Sequence, residues 1–291
     1  MPTLIDPALA QGIRRAYLES LDRTTKRLYN RILIDKMRNP KLHTKTHKSF
    51  KKDVTRFRAI IEASGVKHQE LMLETPSREL WAALYLERED APDNNGRAFE
   101  KDFARVNVLG LTRNPAEMWL RPMSIVITAH TIDRVIQRAG IVDLPIRSSD
   151  IAAIDVQLAE ILVWAAASFF ILGELPLEQG PELTIVLPGQ YGFFLGSFDA
   201  NPMELTIRTF VDYEKTWPEQ EEALALLRSV PDDRLAICAG DVIKRGHLDI
   251  THDAFDRAIL KCWREYGWRI REKSERPGQT SRAWDVRLDN V

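Results

Sequence analysis

Three residues whose side chains are suited to binding and cleaving phosphodiesters recur at four-residue steps within residues 126–140. They are His130, Arg134 and Arg138. An α-helix advances about 100° per residue, so these side chains would form one stripe about 80° wide. An imidazole in the first turn of a helix is kept neutral by the positive end of the helix dipole, so it can accept a proton. Two guanidinium groups behind it could hold a phosphate through paired hydrogen bonds.

Cleavage of RNA without a metal needs a base for the 2′-hydroxyl, cations for the charged phosphorane and an acid for the leaving oxygen. The predicted helix could supply the first two. The alternative is an ordinary solvated helix face, because apolar residues on the opposite side could simply anchor the helix on a sheet. These apolar residues are Ile132, Val135, Ile136 and Ala139. The spacing alone leaves both interpretations open.

The elements that would position this stripe lie between residues 120 and 215. The segment "MSIVIT" has the pattern of a buried strand, and Thr128 can cap a helix that ends near residue 139. A long apolar helix is predicted next, capped by Ser149 or Asp150 and ending near Leu172. Three strand-like segments follow, "ELTIVL", "YGFFLGSF" and "ELTIRTFVDY", separated by short turns. The pattern predicts an α+β fold with a central antiparallel sheet packed with helices.

This order of elements resembles the small nuclease toxins of the barnase, EndoU, colicin and RelE superfamily. The resemblance covers about residues 124–211, close to a third of the chain. The matching residues are His130, Arg134, Arg138, Gly140 and Ile141, then Thr206, Arg208 and Thr209. It implies a metal-independent ribonuclease that acts by transphosphorylation. In that interpretation His130 is the base or acid, and Arg134 and Arg138 hold the phosphate.

The late strand would complete such a site. Alternation in "ELTIRTFVDY" places Thr206 and Arg208 on one face, so we expect Arg208 to be a third cation and Thr206 a hydroxyl donor. The chain has no phosphate loop, no G-x-G-x-x-G turn and no serine-nucleophile elbow. Its histidine pairs lack the partners that would complete a zinc site. We therefore expect no cofactor and no metal.

The first 119 residues are predicted to form a basic helical region. Residues 1–60 carry 15 Lys and Arg against five Asp and Glu, a net charge of +10, so the other 231 residues carry −11 in a chain of net charge −1. Helices are predicted over residues 7–37, 49–63 and 77–89. A basic arm, defined as residues 41–58, is expected to contact nucleic-acid phosphates, unless it is only a solubilising surface. Its cations are Lys41, Lys45, Lys48, Lys51, Lys52, Arg56 and Arg58.

Residues 216–291 are predicted to form a helical C-terminal region. The start of the sequence lacks a basic-then-apolar signal pattern, and the apolar run at residues 161–173 is short for a membrane span. The only two cysteines, Cys238 and Cys262, fit a reducing compartment. We therefore expect a cytoplasmic protein that does not enter a membrane.

The leading functional hypothesis is a ribonuclease of toxin or effector type, with RNA favoured as the partner and a cognate inhibitor protein as a further partner. Two other classes stay open. One is a non-enzymatic nucleic-acid-binding protein of phage or plasmid type, which would use the basic arm. The other is an immunity or antitoxin-like interaction protein whose acidic body covers a basic enzyme.

Overall fold

The computed structural model of the chain describes most of residues 5–213. The described ranges are residues 5–42, 46–75, 78–90, 102–113, 116–138, 148–173, 182–200 and 203–213, with Glu221 and Ala225. Within them lie five helices: α1 (Pro7–Arg38), α2 (His47–Ser64), α3 (Ala129–Arg138), α4 (Ser148–Glu160) and α5 (Leu162–Gly173). The strands are β1 (His68–Thr75), β2 (Arg78–Asp90), β3 (Asp102–Arg113), β4 (Glu117–Ile127), β5 (Glu182–Pro188), β6 (Gly192–Ala200) and β7 (Met203–Asp212). The predicted α+β fold is confirmed.

All seven strands belong to one sheet with the order β1-β2-β3-β4-β7-β6-β5. Neighbouring strands are antiparallel except β4 and β7, which run parallel. The predicted meander of β5, β6 and β7 is therefore confirmed. Strands β1, β2 and β3 lie in the predicted N-terminal region (residues 1–119), and β5, β6 and β7 lie in the predicted central region (residues 120–215). Strand β4 crosses the boundary between them, so one sheet joins the two regions.

The helix predicted over residues 77–89 is wrong, because this segment forms β2. Its residues 80–86 are all buried, since helices cover both faces of the strand. Trp81, Ala83 and Tyr85 pack with α2, whereas Leu84 and Leu86 pack in the core that contains α4 and α5. A strand buried on both faces has a continuous apolar run, which does not show the alternation that would distinguish it from a buried helix.

The predicted first helix is confirmed as α1. Asp6 caps it by accepting a hydrogen bond of 2.8 Å from the backbone N–H of Ala8, and Pro7 occupies the first turn. Its buried residues divide between two cores. Residues from Ala10 to Leu21 pack in the core of α4 and α5, whereas Leu28 and Ile32 pack with α2. This helix therefore links the two sides of the sheet.

Helix α2 also forms where the sequence predicts a helix. Thr46 accepts a hydrogen bond from the backbone N–H of Ser49, and Ser49 bonds back to the cap, which completes a capping box. The helix ends at Gly65, whose φ of 80° lies in the left-handed region that a residue without a Cβ adopts at little cost.

The long apolar helix is divided into α4 and α5 by a turn at Ile161. Its start at Ser148 places Ser149 and Asp150 in the first turn instead of at the cap. By length and composition alone, Ser149–Phe169 could cross a membrane, but just over half of that window is buried inside the structure. Phe169 packs edge-to-face against Phe198 of β6, as expected of a core helix.

Most of residues 216–291 lie outside the described part of the chain. The predictions made there are the helices near Pro218 and after Thr251, the last strand and both cysteines. Lys45 of the basic arm and the helix-ending residues Ala139 and Gly140 also lie outside it.

Candidate functional site

Helix α3 is held beside β7 by hydrogen bonds at both of its ends. Thr128 caps the helix by accepting from the N–H of Thr131 over 3.2 Å, as predicted. Thr131 is fully buried and donates its hydroxyl to the carbonyl of Ile207 over 2.8 Å. At the other end, a guanidinium N–H of Arg138 donates to the carbonyl of Phe210 over 3.4 Å. These contacts fix the orientation of the helix, and so of the side chains on its outer face.

The predicted stripe assembles as a group of neighbouring side chains. The Nε atom of Arg134 donates a hydrogen bond to Nε2 of His130 over 3.3 Å. Arg138 lies near enough to act electrostatically on His130, and so does Arg14 of α1. We call these four residues the His130 cluster. The sequence indicated three of its members and missed the fourth.

The pKa of His130 is lowered to about 4. Burial is the largest cause, followed by the positive charges of Arg134, Arg138 and Arg14. The imidazole is therefore neutral at physiological pH, as the sequence predicted. The sequence attributed this to the helix dipole, whereas in the structure burial and the neighbouring arginines lower the pKa.

Arg14 is fixed in the His130 cluster by Asp133 of α3, with which it forms a hydrogen-bonded ion pair. Burial raises the pKa of Asp133 to about 6, because it outweighs the attraction of Arg14 and Arg134. Two carboxylates act on the cations of this region, Asp133 on Arg14 and Asp212 on Arg138. Three guanidinium groups with these carboxylates leave a local excess of positive charge, which makes the cluster a candidate anion-binding site.

Strand β7 contributes less to the His130 cluster than the sequence predicted. Glu204, Thr206 and Arg208 are half-buried while Leu205 and Ile207 are buried, so the expected alternation is present. The hydroxyl of Thr206 donates to Glu204 over 3.2 Å. Arg208 is the extra residue of a β-bulge, and it is not among the cations that lower the pKa of His130. The roles of Thr206 and Arg208 at a phosphate stay predictions.

The cations of the basic arm occupy different environments. Lys41, Lys48, Lys51 and Lys52 are exposed. Arg56 instead forms ion pairs with Asp35 and Asp53, and Arg58 pairs with Glu70. The arm therefore presents lysines to solvent, whereas its two arginines connect α2 to α1 and β1.

Within the described residues, no group of three or more His, Cys, Asp and Glu side chains could hold a metal ion. No protein-family model, curated protein or solved structure matches the chain. The fold defines an α+β protein, and the His130 cluster defines a candidate site for an anion.

Proposed function

We propose that this protein is a metal-independent ribonuclease in which the His130 cluster binds the phosphate that is cleaved. One observation carries the proposal: a half-buried, neutral imidazole accepts a hydrogen bond from one guanidinium group and lies within electrostatic reach of two more. Guanidinium groups match phosphate oxygens in geometry and charge, and a neutral imidazole is the side chain best suited to accept a proton near neutral pH.

The low pKa of His130 belongs to the site without an anion. A bound phosphate would offset the positive charges of Arg134, Arg138 and Arg14, so the pKa of the imidazole would rise towards its ordinary value. The side chain would then be a stronger base when substrate is present than when the site is empty. Substrate binding and proton acceptance are therefore coupled in this arrangement.

The hydrogen bond from Arg134 must change for the reaction to begin. It occupies the Nε2 lone pair of His130, so Arg134 has to turn towards the phosphate before Nε2 can accept a proton. The imidazole then removes the proton of the 2′-hydroxyl, and the 2′-oxygen bonds to phosphorus. The bond to the 5′-oxygen breaks, this oxygen takes a proton from water, and a 2′,3′-cyclic phosphate remains. The hydroxide that is left accepts the proton held by His130, which restores the neutral imidazole.

Exposed cations along α1 could bind the phosphates of the rest of the RNA strand. Arg15, Arg23, Arg27 and Arg31 of α1 are exposed to solvent. A helix of 32 residues is about 48 Å long, so this surface could contact several successive phosphates. An RNA substrate is consistent with the cytoplasmic location expected from the sequence. A cell that makes such an enzyme would need a cognate inhibitor protein.

The direct test is cleavage of a fluorescent RNA in EDTA. The intact protein should produce fragments ending in 2′,3′-cyclic phosphate, and His130→Gln should lower the rate by at least about 100-fold, the usual contribution of a general base. His68→Gln is the matched control, because His68 lies on β1 and contacts Glu70 instead. Uncleaved RNA after prolonged incubation, or equal rates for the two variants, would contradict the proposal.

The occupied Nε2 atom favours a second candidate, a nucleic-acid-binding protein without catalytic activity. In that case the cluster only holds a phosphate, and the lysines of α2 add non-specific affinity. RNA would be bound with strong salt dependence and would stay intact. A protein that binds no nucleic acid but forms a tight complex with another protein would instead fit the immunity or antitoxin class.

A further inference from the structure

The C-terminal end of α1 carries three large apolar side chains that are exposed to solvent. The exposed fractions are 59% for Leu33, 47% for Ile34 and 77% for Met37. Met37 follows Leu33 by four residues and Ile34 by three, so helical spacing makes it a neighbour of both. We call these three residues the α1 apolar patch. The other large apolar side chains that are exposed in the described ranges lie on four separate segments of the chain: Leu120, Val156, Tyr191 and Met203.

The fold does not use the α1 apolar patch. On the opposite side of the same helical turns, Leu28 and Ile32 are buried in the core formed with α2. The three patch residues belong to neither hydrophobic core of the described part of the chain. Single exposed apolar side chains are common on protein surfaces, whereas adjacent ones mark a surface that a partner covers.

Positively charged side chains lie on both sides of the α1 apolar patch. Arg31 precedes Ile34 by three residues and Arg38 follows it by four, so both lie next to Ile34 on the helix surface. Lys36 follows Leu33 by three residues and lies on the other side of the patch. All three cations are exposed. We call them the flanking cations.

Carboxylates do not neutralise the flanking cations. Asp35 is the only acidic residue in residues 31–41. Its carboxylate is paired with Arg56 of α2 over 3.5 Å and accepts a hydrogen bond of 3.1 Å from the side chain of Asn39. Within the described part of the chain, the flanking cations form no ion pair and no side-chain hydrogen bond. The charge of this surface therefore requires an anionic partner.

An anionic lipid surface fits both features of this end of α1. The phosphates of RNA would match the flanking cations but would leave the apolar patch in water. A protein partner would need a carboxylate opposite each cation, yet no contact holds these long side chains in fixed positions. A bilayer accepts apolar side chains below its headgroups and supplies anionic groups at high density without fixed positions.

We propose that the end of α1 binds the surface of an anionic lipid bilayer, with the α1 apolar patch below the headgroups and the flanking cations at the lipid phosphates. The contact is peripheral and requires no segment to span the bilayer. It does not depend on the ribonuclease proposal, because it shares no residue with the His130 cluster.

The test is flotation of the full chain with vesicles of phosphatidylcholine that contain about 30% phosphatidylglycerol, compared with phosphatidylcholine alone. The protein should float with the anionic vesicles and not with the neutral ones. Because the net charge of the chain is −1, general attraction to an anionic surface does not explain such binding. Raising the salt concentration should weaken it.

Two double variants separate the apolar and the charged contributions. Leu33→Gln with Met37→Gln, and Lys36→Gln with Arg38→Gln, should each weaken binding to the anionic vesicles about tenfold. Met203→Gln is the matched control, because it makes the same substitution at an exposed methionine outside the patch and should leave the affinity unchanged.

All substituted side chains are exposed, so the variants should fold like the intact protein, which circular dichroism checks. His130→Gln should bind the vesicles as the intact protein does, which separates this surface from the ribonuclease proposal. No binding to anionic vesicles, equal binding to neutral ones, or binding that both double variants retain would overturn the proposal. It would also be overturned if the patch residues instead held two copies of the chain together in sedimentation experiments while vesicles stayed unbound.

Discussion

The Nε atom of Arg134 lies 3.3 Å from the Nε2 atom of His130 and donates a hydrogen bond to it. This contact, with burial and two further cations, holds the imidazole neutral. Arg134→Gln removes one of the cations and should raise the pKa of His130 from about 4 towards its ordinary value of 6.5. The titration is measured by NMR of the imidazole, with His130→Gln identifying the signal.

The same shift predicts a pH dependence of stability. The folded-state pKa of His130 lies below its unfolded value, so its contribution is fully present above about pH 6.5 and is lost as the pH falls towards 4. Arg134→Gln should make this loss smaller in thermal melts. A measured pKa near 6.5 for His130 in the intact protein would contradict both expectations.

Asp155 should have the opposite pH dependence. Burial raises its pKa to about 7, despite a hydrogen bond of 3.2 Å donated by Tyr17. Its folded-state pKa exceeds the unfolded value of 3.8, so its protonated form stabilises the fold at low pH, and this contribution is lost as the pH rises through 7. Asp155→Asn should therefore stabilise the protein at pH 8 by about 1–3 kcal/mol and have little effect at pH 4.

The measurement for Asp155→Asn is urea unfolding at pH 4 and pH 8. Asp22→Asn is the matched control, since Asp22 lies on the outer side of α1 and pairs with Lys26. Equal effects of Asp155→Asn at the two pH values would show that the carboxyl is not held protonated.

The ion pair of Arg14 and Asp133 connects α1 to α3, and both side chains are mostly buried, with exposed fractions of 15% and 17%. Arg14→Ala should destabilise the protein by about 2–4 kcal/mol above pH 6, because it leaves a buried carboxylate without its cation. The loss should be smaller when Asp133 is also changed to Asn. A double-mutant cycle in urea measures this coupling, and additive effects would show that the contact contributes nothing.

Gly110 of β3 allows close contact with the ring of Trp119. A Cβ at this position would lie 1.8 Å from a ring carbon of Trp119, so Gly110→Ala should destabilise the fold by about 1–3 kcal/mol or more. Gly12 of α1 is the matched control, because nothing lies within 4 Å of a Cβ there. Gly12→Ala should stabilise the helix by about 0.5–1 kcal/mol. Thermal unfolding compares the two, and a neutral Gly110→Ala would be inconsistent with this packing.

The elements that the sequence predicted correctly have local signals. Helix α1 has Asp6 and Pro7 at its start, α3 has Thr128 as its cap, and the strands of the meander are separated by turns. Strand β2 has no such signal. It is buried against α2 on one face and against α5 on the other, so its apolar residues form a continuous run without alternation. Strand β3 shows β-branched residues in the segment "ARVNVLGL", a signal that could have identified it.

The site shows the same division. The spacing of His130, Arg134 and Arg138 on one helix is a local property of the sequence. It correctly predicted that these side chains lie close together. The participation of Arg14 depends on the packing of α1 against α3, across 119 residues of sequence from Asp133. The β-bulge at Arg208 depends on the register between β6 and β7, which a single strand pattern does not contain.

Helix α3 takes the place of a strand beside the second half of β7, because β4 ends its pairing at Ile207. Thr131 donates to the carbonyl of Ile207, which also accepts from the backbone N–H of Thr128, and Arg138 donates to the carbonyl of Phe210, so α3 covers this edge of β7. If α3 moved away, these groups would become a template on which another chain could add a strand, and the protein would then aggregate. Substitutions that loosen α3 should therefore reduce solubility as well as disturb the His130 cluster.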